Sequence, residues 1–398
     1  MESGSRSRSP RLLVLGGGPA QLGLLEAARA RGLWLAVVDR DPAAPGFRHA
    51  DRRCLLSTED EPGIERVAAA LEVGGLIAPG TDWPVGVGAR IAERLRLPHP
   101  ITPATAVLAT NKLRQRERLA EADVPQPRFW VVGGEDTLPD VSFPCVVKAP
   151  DQQGQKGLSL VGDEAGLAVA VETARDVARS GVVLVEALVD GPEVTVVGFS
   201  TGGVFTALTV TDRIVAEPPA FGVALAHVFP SEAGGEAAVV AEAAVSALGI
   251  TDGPSYTQLR CGPAGPLVIE VAARLGGGHD AELVEAATGI PLNDLAIDAA
   301  FGEPVDRPQL EARAAGVVTR FLVPPAGVFR SVDVPDDLEG IARVRIYREP
   351  GHRFSAFRRG ADRAGAVLAL GSSRAQAVSR ANAAAERIRF TADDGDLG

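Results

Sequence analysis

Residues 143–161, FPCVVKAPDQQGQKGLSLV, place one lysine inside an apolar run that predicts a β-strand. The run breaks after Pro150 into a polar loop with two glycines, and a second apolar run begins at Leu158. A lysine buried in a strand costs free energy unless its ammonium group meets an anion. The stretch therefore predicts an anion-binding site, with Lys148 beside a flexible loop.

The segment before this stretch predicts a parallel-sheet domain followed by a helix. Residues 11–41 alternate strand, glycine turn, helix and strand, which is typical of a βαβ unit. We expect a Rossmann-like domain over 11–105, after a disordered polar tail over 1–10. A helix is predicted over 110–127, with Thr110 as its N-cap and two prolines as its stop.

The segment after it predicts an α+β region with antiparallel strands. Residues 256–271 are typical of a hairpin around a Gly/Pro turn, and residues 236–249 are typical of a helix. Residues 211–231 are expected to form a long irregular segment opposite the second hairpin strand.

Composition excludes several classes of protein. The 398 residues are 46% hydrophobic, but no apolar run approaches the roughly 18 residues of a membrane span. The net charge of −11 argues against a surface that coats nucleic acid. Cys54, Cys145 and Cys261 are widely spaced, which indicates neither a disulfide framework nor a zinc site. We expect a cytoplasmic protein without a nucleic-acid or membrane partner.

The glycine turn GGGPAQLG, residues 16–23, only partly matches a dinucleotide fingerprint. Gly16 and Gly18 fit the pattern G-x-G-x-x-G, but Gln21 occupies the third position, and Asp39 ends the second strand as a ribose acceptor would. The departure favours a tight strand-to-helix turn whose helix N-terminus offers a site to a substrate anion, and hydride transfer remains an outside alternative.

Three further features complete a pattern. Lys112 opens a helical stretch ahead of Lys148. Glu186 and Glu193 flank a tight DGP turn, and Glu270 ends a strand that Arg274 follows. Over about residues 12–300 this series resembles the ATP-grasp superfamily. The opening segment is similar to the branch that holds carboxyaminoimidazole ribonucleotide synthetases and carboxylate–amine ligases.

The resemblance implies a fold of mixed α/β and α+β class, the ATP-grasp fold. It implies a pre-ATP-grasp domain over 11–105 and an ATP-grasp domain over 106–301, which contains a lid subdomain at about 140–188 and a larger antiparallel sheet. Residues 302–398 would complete the core. A homodimer is implied by the resemblance alone.

The resemblance also implies ATP as the cofactor. Two lysines on different elements would hold its phosphates. Residues 151–157 match the family's flap, whose backbone N–H groups face the phosphates when it closes. Backbone groups around 186–189 would bind the adenine edge, and Glu193 the ribose hydroxyls. The ATP-contacting residues implied are Lys112, Lys148, Gln155, Lys156, Gly157, Glu186, Ala187, Leu188 and Glu193.

The implied Mg²⁺ site departs from the family pattern. The family usually supplies a glutamate on one strand and Glu-x-Asn on the next, but here Gln258 stands for the first glutamate and Ala272 for the asparagine. If the turn closes the hairpin, Gln258 and Glu270 lie opposite each other on one face. Three alternatives stay open: one metal ion suffices; water, phosphate, His279 or Asp280 holds a second; or the chain binds nucleotide without turnover.

The remaining candidates concern the substrate. The Arg274 guanidinium is expected to stabilise an acyl phosphate or a tetrahedral oxyanion. Gly276 and Gly277 let the backbone approach a substrate before a helix that starts near His279. The other candidate substrate contacts are Arg213, Glu217 and His227.

These features favour an ATP-dependent ligase that joins a small-molecule carboxylate to an amine through an acyl phosphate and releases ADP and phosphate, with Lys148 and Arg274 as its catalytic residues. Two alternatives remain: a carboxylase that uses bicarbonate through carboxyphosphate, and a nucleotide-binding module without ligase activity.

Overall fold

The computed structural model describes residues 9–134, 137–311 and 313–393. Eight of the ten residues of the predicted disordered tail therefore lie outside the described residues. Within the described ranges, no helix is long and apolar enough to span a bilayer. Cys54, Cys145 and Cys261 are free thiols, as their spacing predicts.

The N-terminal region forms a parallel sheet in the order β3-β2-β1-β4. Its central strands are apolar on both faces because helices cover both sides, and Leu12 to Leu15 are all fully buried. The predicted βαβ unit is confirmed. The strands are β1 (Arg11–Leu15), β2 (Trp34–Asp39), β3 (Arg52–Leu55) and β4 (Gly75–Ile77), and the helices are α1 (Leu22–Ala30), α2 (Glu61–Ala70) and α3 (Trp83–Leu95).

The helix predicted over 110–127 is the shorter α5 (Lys112–Glu121), and a separate helix, α4 (Pro103–Thr110), ends just before it. The prediction of Thr110 as an N-cap is wrong, because its hydroxyl donates to the Ala106 carbonyl inside α4. Asn111 is the N-cap of α5, and its side-chain oxygen accepts the Leu113 and Arg114 N–H groups at 3.0 and 3.1 Å. This break places Lys112 on the first turn of α5.

A small antiparallel sheet in the order β5-β8-β6-β7 packs against one helix. The apolar faces of β6, β8 and the helix share one core, in which Cys145, Val147 and Val185 are fully buried. The elements are β5 (Phe129–Val132), β6 (Cys145–Lys148), β7 (Ser159–Val161), α6 (Glu164–Val177) and β8 (Val183–Ala187). Lys148 and Glu186 thus lie on neighbouring strands.

A large antiparallel sheet in the order β13-β12-β9-β10-β11-β14-β18-β16 forms the body of the molecule. Residues 211–231 are mostly strand, so the prediction of an irregular segment is wrong. Polar residues that face the interior of the molecule hid the strand pattern. The elements to residue 301 are β9 (Glu193–Thr201), β10 (Val204–Val215), β11 (Ala224–Phe229), α7 (Ala237–Ala247), β12 (Gly253–Gly262), β13 (Gly265–Ala272), α8 (Asp280–Thr288) and α9 (Leu292–Phe301).

The C-terminal residues contribute three strands to this sheet and form a further sheet in the order β17-β15-β19. Helix α10 packs on β14 and β18 through Ala377 and Ala381, which are fully buried. The predicted domain boundaries remain predictions. The elements are β14 (Gly316–Leu322), β15 (Gly327–Asp333), β16 (Ile341–Ile346), β17 (Arg353–Phe354), β18 (Gly365–Gly371), α10 (Arg374–Arg387) and β19 (Arg389–Asp393).

Candidate nucleotide and substrate site

Lys148 is buried at the end of β6, and its ammonium group meets a carboxylate of the protein. Its Nζ lies 2.8 Å from Glu186 Oε2, and both side chains are less than one-tenth exposed. Burial lowers the pKa of Lys148 to about 8, against the attraction of Glu186. Burial would raise the pKa of Glu186, but Arg116 and Lys148 hold it at about 2. The pair is therefore charged near neutral pH.

Arg116 is a site residue that sequence reasoning missed. It is 1% exposed, and its Nε donates to Glu186 Oε1 at 2.7 Å. Its other nitrogens donate to the carbonyl oxygens of Val268 and Ile269 on β13 at 2.8 and 2.7 Å. The signal in the sequence was its position one helical turn after Lys112, which places both on one face of α5.

Lys112 is paired with a second carboxylate of the site, that of Glu270. Its Nζ lies 2.9 Å from Glu270 Oε1 and donates to the Gln152 carbonyl at 3.0 Å. Burial acts to lower the pKa of Lys112, but Glu270 and Asp82 outweigh it and raise that pKa. Burial acts to raise the pKa of Glu270, but Lys112, Lys148 and Arg274 together lower it. These cations therefore surround one carboxylate.

The segment 186–193 links the small sheet to the large one. The Ala187 N–H donates to the Arg128 carbonyl at 2.9 Å, and Leu188 follows it, partly buried. Glu193 begins β9 and is saturated with donors, since it accepts Arg213 Nη1, Arg260 Nε at 3.2 Å and Gln258 Nε2 at 3.0 Å. Its predicted role toward ribose therefore requires an exchange of these partners.

The loop 151–157 lies between Lys112 and the N-terminal region. Gln152 supplies the carbonyl that Lys112 binds, and Gln153 Oε1 accepts the Asp82 N–H at 2.7 Å. Gly154, Gln155 and Gly157 have φ values of +66°, +64° and +68°. Glycine adopts such backbone without strain and glutamine does not, so the loop holds a shape that its two glycines permit and that strains Gln155. The predicted third cation of the loop, Lys156, is exposed.

The hairpin places Gln258 and Glu270 directly opposite each other, and it pairs Ala272 with Tyr256. Among the described residues, no group of three or more His, Cys, Asp and Glu side chains is arranged to hold a metal. Gln258 uses its amide nitrogen toward Glu193, which leaves its carbonyl oxygen for a cation. One carboxylate and one amide oxygen fit a Mg²⁺ ion that takes its remaining ligands from phosphates and water.

Arg274 is buried and paired with a carboxylate from the N-terminal region. Its Nε and Nη2 lie 2.6 and 2.5 Å from Asp82 Oδ1, and its Nη1 donates to the Leu275 carbonyl at 2.9 Å. Burial acts to lower the pKa of Arg274, but Asp82 and Glu270 raise it. Since the backbone N–H of Asp82 also donates to Gln153 in the loop 151–157, one residue contacts both Arg274 and the flap.

The glycine run after Arg274 approaches other backbone closely. A Cβ on Gly276 would lie 2.1 Å from Asp280 Oδ2, and one on Gly277 would lie 3.0 Å from the Gly80 carbonyl oxygen. His279 is the N-cap of α8 at a φ of +60°, with its Nε2 2.6 Å from the Tyr347 hydroxyl and its Nδ1 3.4 Å from Glu282 Oε1. Both ring nitrogens of His279 thus face protein groups.

Two of the three remaining substrate candidates are buried together. His227 is 2% exposed, its Nδ1 lies 3.6 Å from Asp280 Oδ1, and burial lowers its pKa to about 4, so the ring is neutral. Arg213 lies opposite it in the β10–β11 register. Glu217, by contrast, is exposed in the turn after β10.

Two family profiles match the chain. Residues 134–307 match the carbamoyl-phosphate synthase L chain, ATP binding domain. Residues 320–393 match the L-amino acid ligase C-terminal domain 2. The first match includes Lys148, Glu186, Glu193 and Glu270, and the second includes β14 to β19 almost completely.

Relatives in sequence match most of the chain or a little under half of it. The uncharacterized protein y4rH of Sinorhizobium fredii is 27% identical over 394 residues, which is 92% of this chain and 80% of that protein. A D-alanine–D-alanine ligase of Marinobacter nauticus is 29% identical over 181 residues, which is 44% of this chain and 49% of that enzyme. The chain spans about half the length of that ligase.

Solved structures match nearly the whole of this chain. An L-amino acid ligase from Bacillus licheniformis gives a TM-score of 0.84 at 22% identity and covers 98% of this chain and all of its own. N5-carboxyaminoimidazole ribonucleotide synthetase from Thermotoga maritima gives 0.74 at 19% identity, with 96% and 100% covered. These comparisons confirm the resemblance that the sequence indicates: the chain has the ATP-grasp fold and is similar to ATP-dependent ligases.

Proposed function

We propose that this chain is an ADP-forming ligase that condenses a carboxylic acid with an amine through an acyl phosphate. The observation that carries the proposal is the convergence of Lys112 and Lys148, from two separate elements, with Arg274 around Glu270 on the face of the hairpin. Three cations around one carboxylate form an environment for a polyanion such as ATP with Mg²⁺.

Each residue has a distinct task in this proposal. Lys112 and Lys148 hold phosphate oxygens, and the flap 151–157 excludes water from the acyl phosphate. Glu270 and the Gln258 carbonyl would hold Mg²⁺, which neutralises phosphate charge when bound. Arg274 stabilises the oxyanion that forms when the amine attacks the activated carbonyl carbon. The attack forms the C–N bond, and the C–O bond to phosphate breaks.

The substrate class that we propose is amino acids. The support is the family match over residues 320–393 and the similarity in fold to the L-amino acid ligase of Bacillus licheniformis. The polar interior near His227, Arg213 and Asp280 is suited to charged groups of a small molecule. The homodimer remains a proposal, which sedimentation of the full chain would test.

A coupled assay of ADP release tests the proposal. The full chain is given ATP, Mg²⁺ and pairs of amino acids, and products are identified by mass spectrometry. ADP that appears only with an acid and an amine together, with one amide formed per ADP, supports the ligase. ADP release that does not depend on any acid would contradict it.

A second candidate is carboxylation through carboxyphosphate. The similarity in fold to the Thermotoga maritima synthetase favours including it. Bicarbonate supplied alone would then release ADP, whereas the ligase requires an organic acid. The same assay therefore separates the two candidates.

A further inference from the structure

The guanidinium group of Arg363 is partly buried, and among the described residues the structure shows no ion-pair partner for it. Arg363 precedes β18, and its guanidinium carbon lies 3.8 Å from the centre of the Phe321 ring. Its Nη2 donates to the Ala224 carbonyl at 2.6 Å, whereas its Nε is buried and has no acceptor. One edge of the guanidinium is thus positioned but unsatisfied.

The surroundings do not neutralise this charge. Burial lowers the pKa of Arg363 to about 10, and the nearby Arg213 acts in the same direction. Asp280 attracts it, but the Asp280 carboxylate accepts the Gly278 N–H at 3.0 Å and faces His227. An unpaired guanidinium in such a place is costly, and an anion that binds to it would remove that cost.

Arg363 and Arg274 are both influenced by Tyr256, but within the described part of the chain only one of them has an ion-pair partner. The Tyr256 ring centre lies 5.9 Å from the Arg274 guanidinium, and Tyr256 also acts on Arg363. Arg274 is already paired with Asp82, whereas Arg363 forms no such pair. The acid that becomes activated belongs beside Arg274 and Glu270, so an anion at Arg363 is a separate group.

We propose that Arg363 binds a second carboxylate, one that a substrate keeps through the reaction. A guanidinium presents parallel N–H groups that match a carboxylate, and one uncompensated positive charge suits a single negative charge better than a phosphate dianion. The inference rests on the proposed ligase activity and assigns this group to the amine substrate or to a dicarboxylic acid.

The first test measures binding and needs no turnover. Thermal unfolding of the full chain is followed with propionate and with propionamide, which have similar size but differ in charge. Propionate should stabilise the wild type more than propionamide does, and the difference should disappear in Arg363→Met. The exposed Arg358→Met is the matched control and should keep the difference. An equal response of the Arg363→Met variant to propionate would overturn the proposal.

The second test uses the substrate pair from the ADP-release screen. Replacing the unreacted carboxylate by its amide should raise the KM of that substrate on the order of 10- to 100-fold, the cost of a lost charge-assisted bond. The amide is introduced first in the amine and then in the acid, so that the arm that responds identifies the source. In Arg363→Met, acid and amide forms should have equal KM, and Arg363→Lys should restore part of the difference.

The outcomes separate the two proposals. If no pair releases ADP but propionate still stabilises the wild type through Arg363, the ligase proposal fails and the anion subsite stands. If ADP forms equally well with amides in both arms, the ligase stands and the subsite is wrong. If Arg363→Met does not fold, Arg363→Gln takes its place, and an undiminished preference of that variant for propionate over propionamide would overturn the subsite.

Discussion

The two ends of the site differ in how their cations are neutralised. On the nucleotide side, Lys112 and Lys148 each have a carboxylate within 2.9 Å. On the inner side, Arg363 has an unsatisfied buried Nε, and His227 is uncharged. An anion on the nucleotide side must therefore displace a protein carboxylate from its lysine, whereas an anion on the inner side would supply the partner that Arg363 lacks. Anion binding on the nucleotide side should depend on the protein carboxylates, and anion binding on the inner side should not.

The largest expected effect comes from Glu270. Glu270→Gln removes the carboxylate at the hairpin and leaves Lys112 without its partner, so ADP formation should fall on the order of 10³-fold. Nucleotide binding should be kept, because the adenine and ribose contacts lie elsewhere. A Mg²⁺ titration of ADP formation measures the change, with the exposed Glu242→Gln on α7 as the control. Near-wild-type activity would mean that the cation binds nearer to His279, Asp280 and Glu282.

Lys148 should come next. Lys148→Ala should weaken ATP binding and lower turnover on the order of 10²-fold, because it removes a charged donor and also leaves Glu186 with Arg116 alone. Circular dichroism establishes that the variant folds. Unchanged affinity and turnover in a folded variant would remove Lys148 from the phosphate site.

The pH dependence of ATP binding sharpens the same point. With a pKa of about 8, Lys148 is protonated below pH 8 and loses its charge as the pH rises through that value. Bound phosphate favours the protonated form, so ATP affinity should fall by up to about tenfold per pH unit above pH 8. Equilibrium binding of an ATP analogue from pH 7 to 10 measures this. Lys148→Ala should bind weakly with no such fall, and a flat wild-type profile would contradict the assignment.

Restoring the family's ligands should have an effect of about tenfold. The double variant Gln258→Glu, Ala272→Asn adds one charged and one neutral oxygen, so half-saturation by Mg²⁺ should occur at lower concentration. Gln258→Glu also releases Glu193 from an amide donor. The readout is Mg²⁺ binding in the presence of a non-hydrolysable ATP analogue. Unchanged Mg²⁺ affinity would show that these positions do not face the cation.

The smallest effect concerns the flap. Gly157→Ala should lower turnover several-fold more than Gly154→Ala does, because its Cβ would lie 2.7 Å from Val177 whereas that of Gly154 meets open space. The two glycines have nearly equal positive φ, so backbone strain is matched. Protease cleavage at residues 151–157 should slow with a non-hydrolysable ATP analogue in the wild type. Equal cleavage with and without the analogue would count against closure.

The sequence predicted the local placement of Lys148, Gln258 and Glu270, because each lies close in sequence to the loop or turn that positions it, and their roles toward a nucleotide stay predictions. Lys148 ends a strand beside a glycine loop, and the Gln258–Glu270 pairing follows from a hairpin with a Gly/Pro turn. Arg116 was missed because an arginine in a charged helix gives no sign of burial. Its acceptors Glu186, Val268 and Ile269 lie far away in the chain.

The inner side was predicted less well for the same reason. The strands β10 and β11 carry His227 and Arg213, whose polar side chains face a buried interior and disguise the alternation of a strand. Arg363 comes from the C-terminal region, which the resemblance did not reach. Only tertiary structure brings it to the interior near Asp280 and Tyr256.

Arg116 also holds α5, β8 and β13 together, so that they cannot separate one at a time, whereas the loop 151–157 is not tied to them by this residue. Its guanidinium finds all its acceptors only when α5, β8 and β13 are assembled, and a partial separation that still shields it from water would leave its donors unsatisfied. The part of β8 near Glu186 should therefore exchange its amide hydrogens only in global unfolding, while residues 151–157 exchange through local fluctuations. In the proposed ligase, substrate entry would then require the loop to move and would leave the sheet that carries Lys148 in place.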